Sequence, residues 1–144
     1  MPHDEVAAGL ARVEQRYTPG RRAIIDVLAG ADRPLTVPEI LAAAGPAVPQ
    51  SSAYRSLTVL TEAGAVRRVT GTDDLGRFEL AEDLSGHHHH LHCVECGTVA
   101  DVAAHPRLER ALAAAAQLAA DETGFDVIEH RIDLVGRCAD CRHV

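Results

Sequence analysis

Four cysteines occur in the chain, as two pairs, Cys93-Val-Glu-Cys96 and Cys138-Ala-Asp-Cys141. Two thiolates separated by two residues grip one tetrahedral ion from a tight turn, so two such pairs supply the closed four-sulfur shell of a structural zinc site. The 41 residues between Cys96 and Cys138 make the site a staple joining the two ends of a small domain. The alternatives are two redox dithiols or buried free cysteines. Neither pair opens a helix in a βαβ setting, which disfavours redox chemistry.

Just before Cys93 stands His87-His88-His89-His90-Leu91-His92. In an extended segment successive side chains face opposite ways, so His88 and His90 point to one side and His87 and His89 to the other. One strand can then serve two metal sites, with Glu79, Glu82 and Asp83 close in sequence as oxygen donors. The bland alternative is a solvated polar stretch. His92 shares the parity of His88 and His90 and is either a further ligand or exposed. Taken singly, His130 reads as a half-buried strand histidine, Glu109 as a solvated helix residue, and His3, His105 and His143 as surface residues.

These side chains need elements to hold them. Of 144 residues 47% are hydrophobic, with only two Tyr and two Phe, so the expected core is Ala, Leu, Val and Ile in a globular chain. No run approaches the roughly 18 apolar residues of a membrane span, and the start MPHDEVAAGL lacks the basic-then-apolar order of a signal peptide. A cytoplasmic location without membrane contact is expected, and there zinc is favoured over disulfides. Charge divides the chain. Through Thr70 eight Arg face seven Asp and Glu, and from Gly71 six Arg face fourteen. Every Lys/Arg cation is arginine and the net charge is −7. The first stretch can approach a polyanion where its Arg cluster, whereas the acidic, histidine-rich second stretch suits metal cations.

Val6 to Gln15 predicts a short helix. Thr18 and Pro19 provide the N-cap and first residue of another, carrying Ile24, Val27 and Leu28 and ending near Gly30. Thr36-Val37-Pro38-Glu39 has the form of a capping box, opening a helix that Gly45-Pro46 stops. Ser51 and Ser52 are expected to cap the helix that ends at Gly64; Ala53, Leu57 and Leu60 face inward, and Ser51, Tyr54, Arg55 and Thr58 outward. Val66–Val69 and Arg77–Leu80 flank a turn-rich stretch and predict a hairpin. Helices followed by a hairpin make the winged variant of helix-turn-helix. Arg21, Arg22, Arg55, Arg67 and Arg68 then become candidate phosphate contacts, and Ser51, Ser52 and Tyr54 candidate base-edge contacts. A helical bundle with surface arginines is the alternative. Ala81 to Gly86 reads as a hinge. Beyond it come the histidine segment, a strand at Thr98–Val102, a helix from Pro106 to about Glu122 and a strand at Val127–Val135. The expected fold is α+β: a winged-helix DNA-binding domain over residues 1–82, then a small α/β domain with the four-cysteine zinc site over residues 83–144.

Together these residues resemble the ferric uptake regulator family. The match runs from about Tyr17 to Cys141. It rests on Tyr17-Thr18-Pro19-x-Arg21-Arg22, Ser51-Ser52-Ala53-Tyr54-Arg55-Ser56-Leu57, Ala63-Gly64-Ala65-Val66, Arg77-Phe78-Glu79-Leu80, the HHHHLxCxxCG segment from His87 to Gly97, and Gly136-Arg137-Cys138-x-x-Cys141. The resemblance implies a homodimer, paired through the second domain, that binds an inverted-repeat operator on double-stranded DNA when metal-loaded and represses metal-uptake genes. It implies structural zinc on Cys93, Cys96, Cys138 and Cys141. It also implies a sensing site of His88 and His90 with Glu79, and an additional site of His87, His89 and His130 completed by an acidic residue of the long helix, Glu109. The regulatory divalent metal is Zn2+, Fe2+, Mn2+ or Ni2+, with zinc or iron preferred. Three departures from the family pattern stand out. The histidine that many iron-type members carry near the position of Leu35 is absent. No cysteine follows the wing, where Ala81 to Gly86 is also longer than usual. The helix from Pro106 runs longer too.

Peroxide sensing by oxidation of a site histidine is a second function within the same resemblance. Metal storage or chaperoning without DNA is another, although a chaperone has no use for the Ser51–Gly64 helix and its wing. A zinc hydrolase would need an open coordination position and a general base. No HExxH-like spacing is present, and no enzyme is expected.

Overall fold

The computed structural model describes residues 2–143. Its first half is built on local start signals. α1 spans His3–Arg12, with Asp4 and Glu5 in the first turn, where carboxylates oppose the helix dipole; it therefore starts earlier than the apolar periodicity from Val6 suggests. α2 (Pro19–Gly30) opens on Thr18, whose hydroxyl accepts the Arg21 N–H at 3.3 Å. β1 (Leu35–Thr36) is a two-residue strand, too short to leave a periodic trace in the sequence. α3 (Val37–Ala44) carries a complete capping box between Thr36 and Glu39. α4 (Gln50–Glu62) is capped differently from expectation. Pro49, extended at φ −65° and ψ 139°, holds the cap position, so Ser51 and Ser52 already lie inside the first turn. The Ser52 hydroxyl donates back to the Pro49 carbonyl at 3.2 Å.

β2 (Val66–Thr70) and β3 (Gly76–Leu80) form the expected hairpin, and β1 pairs antiparallel with β3 on its other edge. Ile24, Ile25, Ile40, Leu57 and Leu60 are wholly buried between the helices and this sheet.

The second half is organised otherwise. α5 (Glu82–Ser85) is a single turn within the Ala81–Gly86 stretch. β4 (His88–Cys93) is the centre of a three-stranded sheet, antiparallel to β5 (Val99–Ala103) and parallel to β6 (Asp133–Gly136). α6 (Pro106–Thr123) lies between β5 and β6 in sequence, with the His105 ring accepting the Arg107 N–H at its start. The strand expected over Val127–Val135 is shorter than its composition suggests. Ladder pairing begins at Asp133, although the Ile132 carbonyl already accepts the His90 N–H at 3.3 Å, and the segment before it stands open to solvent: Phe125 is 74% and Ile128 90% exposed.

Among the described residues, the only buried apolar side chains of this half are Cys93 and Val99; α6 buries none, and all of β6 is exposed. A unit of this size with so little core needs a metal or a second chain to hold its form. No helix among the described residues is long and apolar enough to cross a membrane.

Candidate metal centres and nucleic-acid face

Strand β4 explains how donors gather. Its alternation sends His88 and His90 to one face and His89 to the other, while Cys93 closes it beside the CxxC turn. Among the described residues three donor clusters result, each with one ligand atom per residue and all such atoms within 4.8 Å of one another.

The first is Cys93, Cys96, Cys138 and Cys141. Cys96 Sγ and Cys138 Sγ are 3.9 Å apart, and the Cys138 N–H donates to Cys93 Sγ. Backbone N–H groups of Cys96 and Cys138 stabilise the Cys93 thiolate and bring its pKa down to about 6. Cys96 is lowered too, first by the Thr98 hydroxyl. A preformed thiolate in a shell of four sulfurs fits a tetrahedral soft ion, and the donor set fits zinc.

The second cluster joins the halves. Glu79, on β3 of the hairpin, meets His88 and His90 of β4 and Asp101 of β5. Glu79 Oε2 lies 2.9 Å from His88 Nε2 and 3.1 Å from His90 Nε2, and Asp101 Oδ1 lies 3.7 Å from both. The Gly86 carbonyl faces His88 Nδ1 at 3.0 Å, which fixes the Nδ1–H tautomer and turns Nε2 towards the cluster. Burial pushes the Glu79 carboxyl up, but hydrogen bonds from His90, Arg67 and His88 outweigh it and hold the pKa at about 2. Burial and the Glu79 charge raise Asp101 against the pull of His88. Asp101 is not readable from sequence spacing. It enters because β4 and β5 pair with His90 opposite Asp101. Leu35 is buried in the core and offers no ligand.

The third cluster is His87, His89, Glu109 and His130. Glu109 stands at its centre, 2.6 Å from His89 Nε2, 2.7 Å from His130 Nε2 and 3.1 Å from His87 Nε2. The contact with His89 is the main cause of its lowered pKa. His87 also meets Glu82 through its other nitrogen. Among the described residues His92 joins no cluster: it is 7% exposed and bonds to Asp133 at 2.7 Å.

The depressed Glu79 predicts a pH dependence in the metal-free protein. Its carboxyl titrates at about 2 when folded and near 4.5 when free, so its contribution is complete above about pH 4.5 and is lost as pH falls towards 2. Acid unfolding followed by circular dichroism is expected to show a flatter profile for Glu79→Gln in that window; parallel profiles would contradict this account of Glu79.

On the opposite side of the hairpin, Ser51, Tyr54 and Arg55 are exposed on α4, Tyr54 to 66%, and Ser52 is half-buried. Arg22 is exposed and lies over the Tyr17 ring at 4.9 Å. Arg21 departs from the expectation of a free phosphate contact. It is 8% exposed, and its guanidinium donates to the Arg16 carbonyl at 2.8 Å and to Gln15. It ties the start of α2 to the preceding loop. Arg67 is likewise committed to Glu79, whereas Arg68 stays exposed.

Residues 12–135 match the family model described as the ferric uptake regulator family. The matched segment stops short of Cys138 and Cys141. The peroxide-responsive repressor PerR of Staphylococcus epidermidis (strain ATCC 12228 / FDA PCI 1200) is 34% identical over 143 residues, spanning 96% of this chain and 89% of the relative. The fold matches the ferric uptake regulator Fur of Helicobacter pylori with a TM-score of 0.74 at 20% identity, covering 95% of this chain and 93% of that one. It also matches a ferric uptake regulator of Pseudomonas aeruginosa solved with manganese, with a TM-score of 0.67 at 27% identity and coverages of 92% and 96%. With a family match over most of its length, a repressor relative above 30% identity and the same arrangement of winged helix and small α/β domain, the chain belongs to the ferric uptake regulator family.

Proposed function

We propose that this chain is a metal-dependent, DNA-binding transcriptional repressor of metal uptake or homeostasis genes, with zinc or iron as the ion sensed. One observation carries the reading: Glu79 comes from the hairpin of the helical half, and His88, His90 and Asp101 from the sheet of the other. A divalent ion held by all four ties the hairpin to the sheet across Ala81–Gly86 and removes freedom between residues 1–82 and residues 83–144. The exposed apolar groups of β6, Leu134 and Val135 among them, suit pairing with a second copy. In such a homodimer the two α4 helices enter successive major grooves of an inverted-repeat operator about 34 Å apart. Arg22, Ser51, Ser52, Tyr54 and Arg55 are the proposed DNA contacts. Tenfold tighter DNA binding on metal loading requires only about 1.4 kcal/mol of coupling.

Four-sulfur coordination by Cys93, Cys96, Cys138 and Cys141 is assigned to structural zinc, the Glu79 cluster to sensing and the Glu109 cluster to an additional site. The test is elemental analysis of EDTA-washed protein, followed by titration with Zn2+, Fe2+, Mn2+ and Ni2+ while operator binding is followed by gel shift. One retained zinc per chain and a second metal that switches DNA binding on support the proposal. Operator binding that no metal alters would sink it.

A second reading, peroxide sensing, is favoured by the donor set of the Glu79 cluster. Two carboxylates and two imidazoles without a thiolate suit Fe2+ or Mn2+. Peroxide would then abolish DNA binding of iron-loaded protein, with an oxygen atom added at His88 or His90, and would spare manganese-loaded protein.

A further inference from the structure

We infer that the tip of the β2–β3 hairpin is a second fastening between the two halves, and that Thr72 and Asp73 are positioning residues for the Glu79 cluster. The inference rests on the sensing role proposed for that cluster. The Thr72 hydroxyl donates to the Cys93 carbonyl at 2.8 Å, although 21 residues separate them. The same carbonyl accepts the Gly97 N–H at 3.0 Å, which closes the CxxCG turn. Asp73 lies against that turn so closely that a Cβ on Gly97 would stand 2.2 Å from its Oδ2, and Gly97 itself is at φ 77°. Glycine is required there on both counts.

Asp73 is braced. Arg77, 5% exposed, grips both its oxygens at 2.8 and 3.0 Å, and Asp73 Oδ1 also accepts the Leu75 N–H. A two-pronged guanidinium–carboxylate pair is among the more rigid polar contacts available. The turn therefore presents a fixed face to the cysteine knuckle.

The consequence is geometric. Thr72 and Glu79 lie towards opposite ends of the β3 arm, and their partners, Cys93 and the pair His88 and His90, lie towards opposite ends of β4. A hairpin fastened at Glu79 alone can pivot about that point. Fastened at both ends, it holds one orientation, and Glu79 stays in register with the two histidines. Apparent metal affinity scales with the fraction of time the binding arrangement is populated, so loosening the tip weakens metal binding at a site that Thr72 does not touch.

Thr72 is exposed in a turn, so its substitution leaves folding intact. Thr72→Val removes the donor and Thr72→Ser restores it. Mn2+ affinity is measured without DNA, so that any direct contact of the wing with DNA plays no part; Mn2+ is chosen because it prefers nitrogen and oxygen donors to a four-sulfur site. Thr72→Val is expected to bind Mn2+ roughly threefold to tenfold more weakly, the equivalent of one hydrogen bond, and Thr72→Ser to recover wild-type affinity, with zinc content unchanged. In metal-free protein, amides around Thr72 and Gly97 are expected to exchange faster in Thr72→Val alone. Equal affinities and equal exchange in all three proteins would overturn the inference. If Glu79→Gln does not weaken Mn2+ binding, the sensing role of Glu79 fails instead, and the exchange comparison by itself decides whether the tip is fastened.

Discussion

Cys138→Ser is expected to abolish the ordered sheet of β4, β5 and β6 while α1 to β3 remain folded. The expectation follows from where the core lies. Leu10, Ile24, Ile25, Ile40, Leu57 and Leu60 are buried in the first half, whereas among the described residues the second contributes only Cys93 and Val99 to the buried apolar set. Binding of zinc to a structural site is worth about 10–16 kcal/mol in small zinc domains, as much as the whole stability of an ordinary domain, about 5–15 kcal/mol. Removing one of four thiolates withdraws most of that from a unit with little else to hold it. Hydrogen exchange would show protection lost across residues 88–103 and kept across 19–62, with zinc absent and no paired species by ultracentrifugation. A zinc-free Cys138→Ser protein with normal protection in β4 would mean that packing, not metal, holds the sheet.

His90→Ala is expected to eliminate metal-dependent DNA binding without unfolding the protein. His90 is 7% exposed, and its Nε2 lies 3.1 Å from Glu79 and 3.7 Å from Asp101. Loss of a group that merely orients a metal ligand typically costs about 10–100-fold in affinity, so loss of a donor itself is expected to cost about 100-fold or more. At metal concentrations that saturate the parent, the variant stays in its metal-free state. His89→Ala supplies the comparison. His89 points to the other face of the same strand, onto Glu109, and should leave the Glu79 cluster and most of the switch intact. Calorimetric metal titration with gel shifts on both variants distinguishes the faces; equal losses would mean that the two clusters do not act separately.

Much of this arrangement is legible in the sequence because it is periodic or local. The partition of His87 to His90 between two faces follows from the two-residue repeat of a strand. The capping box at Thr36 and Glu39 needs only four residues. The buried face of Ala53, Leu57 and Leu60 follows from the helical repeat. What escapes the sequence depends on tertiary register. Asp101 has no spacing that marks it as a donor and becomes one through its place opposite His90. Arg21 belongs to a motif of consecutive arginines, yet the fold turns one inward to the Arg16 carbonyl and leaves Arg22 outside. Ser51 and Ser52 have good capping chemistry, but the extended Pro49 takes the cap position first. Thr72 and Asp73 read as ordinary turn residues until the cysteine knuckle is placed against them.

The four adjacent histidines entering β4 also differ from Cys93 in their tolerance of error. A strand displaced by one position presents every side chain to the opposite face. Over His87 to His90 such a shift replaces one imidazole with another at three of the four positions, the fourth receiving Gly86 or Leu91, so both faces keep nitrogen donors. Cys93 has no such substitute, because Val94 and His92 flank it. Sulfur therefore sets the phase of the strand. A residue gained or lost among the four histidines can be absorbed, but one gained or lost between Cys93 and Cys96 breaks the two-residue spacing and removes a thiolate from the zinc shell.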